Sequence, residues 1–228
     1  MDTLVSELTR ELKCDTVFTI PVLGGIPIKE SVVVTWIIMA VILVICIAAT
    51  RNLSVENPGR GQVILETIVS GGHHFFDETL GENGKDYIPY MMTVTLYIGV
   101  ANLIGLLGFK PPTKDMNVTA ALAIMSIVLI EAAGIRQKGA KGWLKSFAEP
   151  IPIILPINIL EVFIKPLSLC MRLFGNVLGS FVIMELLKLI IPAVVPAVFS
   201  CYFDIFDGLI QAYVFVFLTS LFIKEATE

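Results

Sequence analysis

Charged residues are scarce in this sequence. Only 16% of the 228 residues are Asp, Glu, Lys or Arg, whereas 56% are hydrophobic, and the formal net charge is −4. Soluble domains of this length rarely have so apolar a composition. The basic residues are scattered and are not interleaved with aromatic side chains, so no nucleic-acid partner is expected.

Motifs for cofactors, metals and nucleotides are missing as well. The sequence has no CxxC pair, no glycine-rich phosphate loop and no internal repeat. Three of the four cysteines lie in apolar runs and are expected to behave as small hydrophobic residues. His73 and His74 lie in an amphipathic stretch, where a solvated surface is a simpler interpretation than a metal site. We therefore expect no cofactor and no metal.

Long apolar runs dominate what is present, and a helix needs about 20 such residues to cross a bilayer. We predict an all-α polytopic membrane protein in which residues 1–228 form a single membrane-embedded domain. It should have about five membrane-embedded helices and one amphipathic helix at the surface. The predicted segments are an outer N-terminal segment 1–30 that is not a cleaved signal, spans 31–50, 87–109 and 118–135, an interfacial helix 57–80, and a final region 148–228.

Residues 150–196 form an apolar stretch more than twice as long as a membrane is thick. This stretch either turns back inside the membrane or forms one long, steeply tilted helix. The basic segment 136–145 contains four basic residues and no acid, which predicts a cytoplasmic location. The N-terminus is then expected outside and the C-terminus inside.

Arg172 is the most unusual residue of the long stretch. A permanent charge inside a membrane helix costs about 2.5 kcal/mol at the least, so such residues usually mark an ion path. Snorkelling to the surface would explain a charge near a helix end, but apolar residues extend far to both sides of Arg172. We therefore interpret Arg172 as functional.

Small and polar residues accompany the arginine at helical spacing. Ser168, Asn176 and Gly179 share its helix face, and Gly175 and Ser180 lie beside it. Small residues allow another helix to approach closely, which predicts an interface with a partner helix. Ordinary packing within the chain is the alternative.

Two further polar groups are predicted to lie toward opposite sides of the membrane. Toward the outside, Asp204, Asp207 and Gln211 recur on the last span, and Glu185 lies on the long stretch. Toward the cytoplasm, Asn158 and Glu161 precede the arginine. Two water-accessible half-paths separated by a permanent cation would have this layout. Asn102, on the second span, either lines the outer half-path or makes an ordinary interhelical hydrogen bond.

Several motifs resemble one family. The segments "KPLSLCMRLFGNVLG" (165–179) and "GLIQAYVFVFLTSLFI" (208–223) look like the two signature regions of subunit a of rotary F-type ATP synthases. Other segments match that family in the same order along the chain, and the version looks bacterial: "NPG" (57–59), "VANLIGLLG" (100–108), "PPTKDMNVTAALA" (111–123) and "PINILEVFIKPLSL" (156–169).

The resemblance implies a role for the whole chain. It implies a stator subunit that guides H⁺ or Na⁺ to and from carboxylates on a ring of c subunits, while nucleotide chemistry takes place on other subunits. Arg172 would be the essential separator of the half-paths, and Gln211 its partner. The long region would form a tilted helical hairpin against the ring in a bacterial cell membrane. Expected partners are the c ring, the peripheral stalk of b subunits, the remainder of the complex and the lipid bilayer.

The sequence departs from the family pattern in the outer half-path. Many members have an acid or histidine nine residues after the arginine, where this chain has Phe181. Glu185 would take that role, and Asp204 stands where some members have histidine or glutamate. The alternatives are a secondary ion transporter or antiporter, and a scaffolding membrane subunit. The choice between H⁺ and Na⁺, the size of the ring and any preference for synthesis over hydrolysis are not encoded in these motifs.

Overall fold

The computed structural model describes residues 16–20, 26–51, 53–55, 58–107, 109–147, 152–190 and 199–227. Two short strands, β1 (Thr16–Ile20) and β2 (Ile26–Lys29), pair antiparallel ahead of the first helix. Our all-α prediction did not include this strand pair, although every described residue after it lies in a helix or a connecting segment. The described residues after the strands contain six long α-helices: α1 Glu30–Thr50, α2 Arg60–Leu80, α3 Ile88–Leu103, α4 Met116–Ser146, α5 Leu155–Ile190 and α6 Gly208–Thr227.

Five of the helical segments in the described residues are long and apolar enough to cross a membrane. Shorter turns of 3₁₀-helix extend α3 at both ends, and a π-helical segment, Cys201–Asp207, leads directly into α6. These segments confirm the prediction of a polytopic helical membrane protein. The expected interfacial helix is α2, which buries only Phe76 and Leu80, near its C-terminal end.

The long apolar stretch forms one continuous helix over residues 155–190 and does not turn back within that range. The 36 residues of α5 would span about 54 Å at 1.5 Å per residue, whereas the hydrocarbon core is about 30 Å thick. A helix of this length cannot stand upright within that core, so the tilted alternative fits better. Residues 191–198, where a hairpin would turn, lie outside the described residues.

The third predicted span is longer than expected. We predicted helix over residues 118–135 followed by a basic loop, but α4 continues to Ser146 with a break at Gly139, whose φ is +72°. Glycine adopts this left-handed conformation without steric cost. The break redirects the last turns of α4, and this brings Trp143 back against Glu131, with its Nε1 donating to the carboxylate at 2.8 Å.

The core lies where α3, α4, α5 and α6 pack together, and its side chains are mostly aliphatic. Helices α3 and α6 run antiparallel. At one end the Asn102 amide donates to the carbonyl of Gly208 at 2.9 Å, and at the other Asn83 donates to the carbonyl of Thr227 at 3.4 Å. We call these the Asp115 end and the Glu225 end of the bundle, after the charged residue that lies at each.

Candidate functional site

Arg172 lies near the middle of α5 with its side chain exposed. Within the described residues its guanidinium makes no hydrogen bond and no ion pair. Ser168 and Asn176, one turn away on either side, are exposed on the same face, as helical spacing predicts. The buried residues Leu169, Leu173 and Val177 lie on an adjacent face of α5. The described part of the chain therefore leaves uncovered the face that carries Ser168, Arg172 and Asn176, which we call the arginine face.

The glycines beside the arginine are not used for packing within the described chain. A Cβ atom added at Gly175 or Gly179 would have no neighbouring atom within 4 Å. At Gly134, by contrast, the added atom would lie 3.3 Å from both the Ala226 carbonyl oxygen and Trp143. Ser180 is partly buried, and its hydroxyl donates to the carbonyls of its own helix. Intrachain packing thus does not account for the small residues on the arginine face.

Gln211 is buried in the bundle at 8% exposure. Its amide donates to the Asp207 carboxylate at 3.3 Å, which links two of the three residues in the predicted polar stripe. Within the described residues no hydrogen bond joins Gln211 to Arg172, so their partnership stays a prediction. Residues 201–207 are π-helical, so the α-helical spacing assumed for the stripe does not apply as far back as Asp204. The side chains of Asp204 and Glu185 lie outside the described residues.

Asn102 makes the interhelical contact that we considered as one alternative. Besides donating to Gly208, its side-chain oxygen accepts a hydrogen bond from Thr113 at 3.0 Å. Both Asn102 and Thr113 are buried, so these two hydrogen bonds hold together α3, the segment before α4 and the beginning of α6. A role of Asn102 in an ion path stays a prediction.

A charged cluster surrounds Asp115, just before α4. Its carboxylate accepts hydrogen bonds from the Ser31 hydroxyl at 2.7 Å and the Asn117 backbone at 3.0 Å, and Lys29 lies 3.5 Å away. Burial alone would raise the pKa of the Asp115 carboxyl, but these hydrogen bonds and the lysine hold it below its usual value. The cluster fastens α1 to the beginning of α4.

Lys114 and Phe181 form a contact that the sequence did not reveal. The Lys114 ammonium lies 4.4 Å from the centre of the Phe181 ring, and the lysine is 6% exposed. A cation over an aromatic face is attracted by the ring quadrupole. At the position where many members of the resembled family have an acid or histidine, this chain therefore has an aromatic ring with a buried lysine above it.

A cavity of about 450 Å³ opens at the Glu225 end between α4, α5 and α6. Asn158 and Glu161, which we predicted for the cytoplasmic half-path, both line it. Two carboxylates that we had not assigned, Glu131 and Glu225, line it as well. The structure thus brings both residues to one polar cavity, and their role in a half-path stays a prediction.

A proline interrupts the hydrogen bonding of α5 near this cavity. Pro166 lies inside α5 and has no N–H group, so the carbonyl of Val162 cannot receive its usual helical hydrogen bond from that position. Val162 is one of the residues that line the cavity. Among the described residues no group of three His, Cys, Asp or Glu side chains could hold a metal ion.

The chain is similar to known proteins over nearly its whole length. The family model described as "ATP synthase A chain" matches residues 32–224. "ATP synthase subunit a" of Moorella thermoacetica is 39% identical over 204 residues, which cover 89% of this chain and 93% of the relative. A relative named "ATP synthase subunit a, sodium ion specific", from Propionigenium modestum, is 32% identical over 216 residues, or 88% of this chain and 74% of the relative.

Proposed function

Because the chain belongs to the ATP synthase subunit a family, we propose that it is the stator subunit that carries ions to and from the rotating c ring. Its partners are the c ring and the rest of the ATP synthase complex, including a peripheral stalk of b subunits. The chain is a multi-pass membrane protein. We place the Glu225 end in the cytoplasm and the N-terminus outside, as the basic segment 136–145 favours, with nucleotide chemistry on other subunits.

The observation that carries the proposal is the position of Arg172 between two polar regions. Lys165, at the Glu225-end cavity, precedes it by seven residues, and Phe181, under Lys114, follows it by nine. These spacings correspond to about 10 Å and 13 Å along the helix. A fixed cation midway between two polar regions can prevent ions from passing directly from one region to the other, because it attracts an unloaded carboxylate and repels a bound cation.

Arginine suits the separator role for two reasons. Its guanidinium stays protonated, and its planar fork can bind a carboxylate with two parallel hydrogen bonds. Its exposure and its lack of a partner in the described residues leave the group available to a ring carboxylate. The exposed Ser168, Gly175 and Asn176 give a ring helix room to approach.

The inner half-path begins, in this proposal, at the Glu225-end cavity. Asn158 and Glu161 line it, and Lys165 closes it on the side of the arginine face. A carboxylate in such a cavity can take up and release a proton or bind a cation, and acids inside membrane proteins often mark ion paths.

The outer half-path is proposed to use Glu185 and Asp204, with Asp207 and Gln211 beside them. We expect Glu185→Gln or Asp204→Asn to lower ion-driven ATP synthesis severalfold, because each removes a carboxylate that can accept the ion. Asp207→Asn should do less, because an amide oxygen can still accept the hydrogen bond from Gln211. The measurement is ATP synthesis in proteoliposomes under a fixed ion gradient, with assembly of each complex checked. Wild-type rates for both Glu185→Gln and Asp204→Asn would mean that ions enter elsewhere.

A further inference from the structure

Lys165 shares the arginine face but, unlike Arg172, it is covered. The seven residues between them fall about 20° short of two full helical turns, so both side chains point in nearly the same direction. Arg172 is exposed, whereas the Lys165 side chain is only 15% exposed. The cover comes from α6: the Phe222 ring centre lies 4.9 Å and the Glu225 carboxylate 3.0 Å from the Lys165 ammonium.

Helix α6 therefore crosses the arginine face at its inner boundary. Lys165 also pairs with Glu161 of its own helix at 3.3 Å, and all three charged groups line the Glu225-end cavity. The carboxylate of Glu225 thus lies where the cavity meets the face that carries Arg172. Its side chain is 58% exposed, so water and ions can reach it.

We propose that Glu225 is an ion-path residue, the carboxylate through which the inner half-path exchanges ions with the arginine face, and that Lys165 is the residue that positions it. The proposal rests on the proposed function, since it names a further residue of the same path. A carboxylate can take up and release a proton, or bind a cation, without any other chemistry. Lys165 supplies a charge-assisted hydrogen bond that holds the carboxylate of α6 against α5.

Charged groups from both neighbouring helices lie around the Glu225 carboxylate. Helix α5 contributes Lys165 and Glu161, and α4 contributes Glu131 and Lys138, which line the same cavity. The effect of a Glu225 substitution on the pH dependence of transport is therefore compared with that of a matched control.

The decisive variant is Glu225→Gln. Glutamine keeps an oxygen that can accept the hydrogen bond from Lys165, but it cannot take up a proton or offer a charge to a cation. In vesicles containing the assembled complex, we expect the rate of ion-driven ATP synthesis to fall severalfold. We also expect a change in how that rate depends on the pH at the cytoplasmic side of the complex (its pH profile). Lys165→Arg should retain most of the rate, whereas Lys165→Met should lower it and alter the same profile.

Glu82 offers a matched control. It also pairs with a lysine, Lys85 at 2.8 Å, near the same end of the bundle, but it is 87% exposed and does not line the cavity. Glu82→Gln should leave both rate and profile unchanged. If Glu225→Gln shows the wild-type rate and profile, the carboxylate only braces two helices and the proposal is wrong. Substitution of Arg172 tests the proposed function separately. If the Glu225 variant has wild-type activity while the Arg172 variant is inactive, the role of Glu225 is wrong and the proposed function stands.

Discussion

Replacing Arg172 with alanine is expected to abolish ion-driven ATP synthesis while leaving the complex assembled. The side chain is exposed and makes no hydrogen bond or ion pair within the described residues, so its truncation removes no polar contact from that part of the fold. What is lost is the fixed cation between the two polar regions. The measurement is ATP synthesis by the purified complex in proteoliposomes, together with its subunit composition.

Two further variants test whether the guanidinium group and its position in α5 are both required. Arg172→Lys should also fail largely, because an ammonium is a compact point charge that cannot reproduce the planar fork of a guanidinium. Arg136→Ala is the control: this arginine is 71% exposed and pairs with Asp86 at 3.1 Å, an arrangement that contributes little at a surface. It should retain wild-type coupling. Wild-type coupling in Arg172→Ala would remove the separator role.

Leucine at Gly175 or Gly179 is the second change for which we expect a large effect. Neither position has an atom within 4 Å of an added Cβ, so the isolated chain has room for a larger side chain. A ring helix packed against these glycines would not have that room. We therefore expect the variant chain to accumulate in the membrane at normal levels while ion-driven ATP synthesis drops to near background.

Gly99 provides the matched control for this prediction. It lies in membrane helix α3, and a Cβ added there also meets nothing within 4 Å. Gly99→Leu should leave the chain and its coupling intact, because we place no ring helix at that position. Equal coupling in the Gly99, Gly175 and Gly179 variants would indicate that the arginine face does not contact the ring.

Arg172 and its neighbours on α5 could be predicted from the sequence better than the residues that other helices bring to the candidate site. Arg172 could be found because a permanent charge inside a long apolar run has few structural explanations. Its exposed neighbours followed from helical spacing alone, since they lie within two turns of one regular helix. Asn158 and Glu161 could be assigned to one side of the arginine because they precede it along the same helix.

Residues brought together by contacts between helices were missed. Glu225 lies at the end of the last span, where an acid is expected simply to be solvated, and only the crossing of α6 over α5 places it beside Lys165. The approach of Lys114 to Phe181 likewise joins positions 67 residues apart in sequence. Helical periodicity carries no information about such pairs.

Local backbone features were also only partly predictable. The segment after residue 135 was interpreted as a loop because it is basic and contains glycine, but most of its residues are good helix formers, and the helix resumes beyond Gly139. The π-helical turn before α6 changed the spacing on which the Asp204–Gln211 stripe was based.

Disulfide crosslinking to the ring tests the central claim most directly. The native cysteines would be replaced, and single cysteines placed at Gly175, at Gly179 and at the control position Gly99, each paired with a cysteine on the outer helix of the c subunit near its carboxylate. We predict crosslinks between the two subunits from Gly175 and Gly179 in the assembled complex, and none from Gly99. Crosslinks that form only within this chain, or equally from all three positions, would contradict the assignment of the arginine face to the ring.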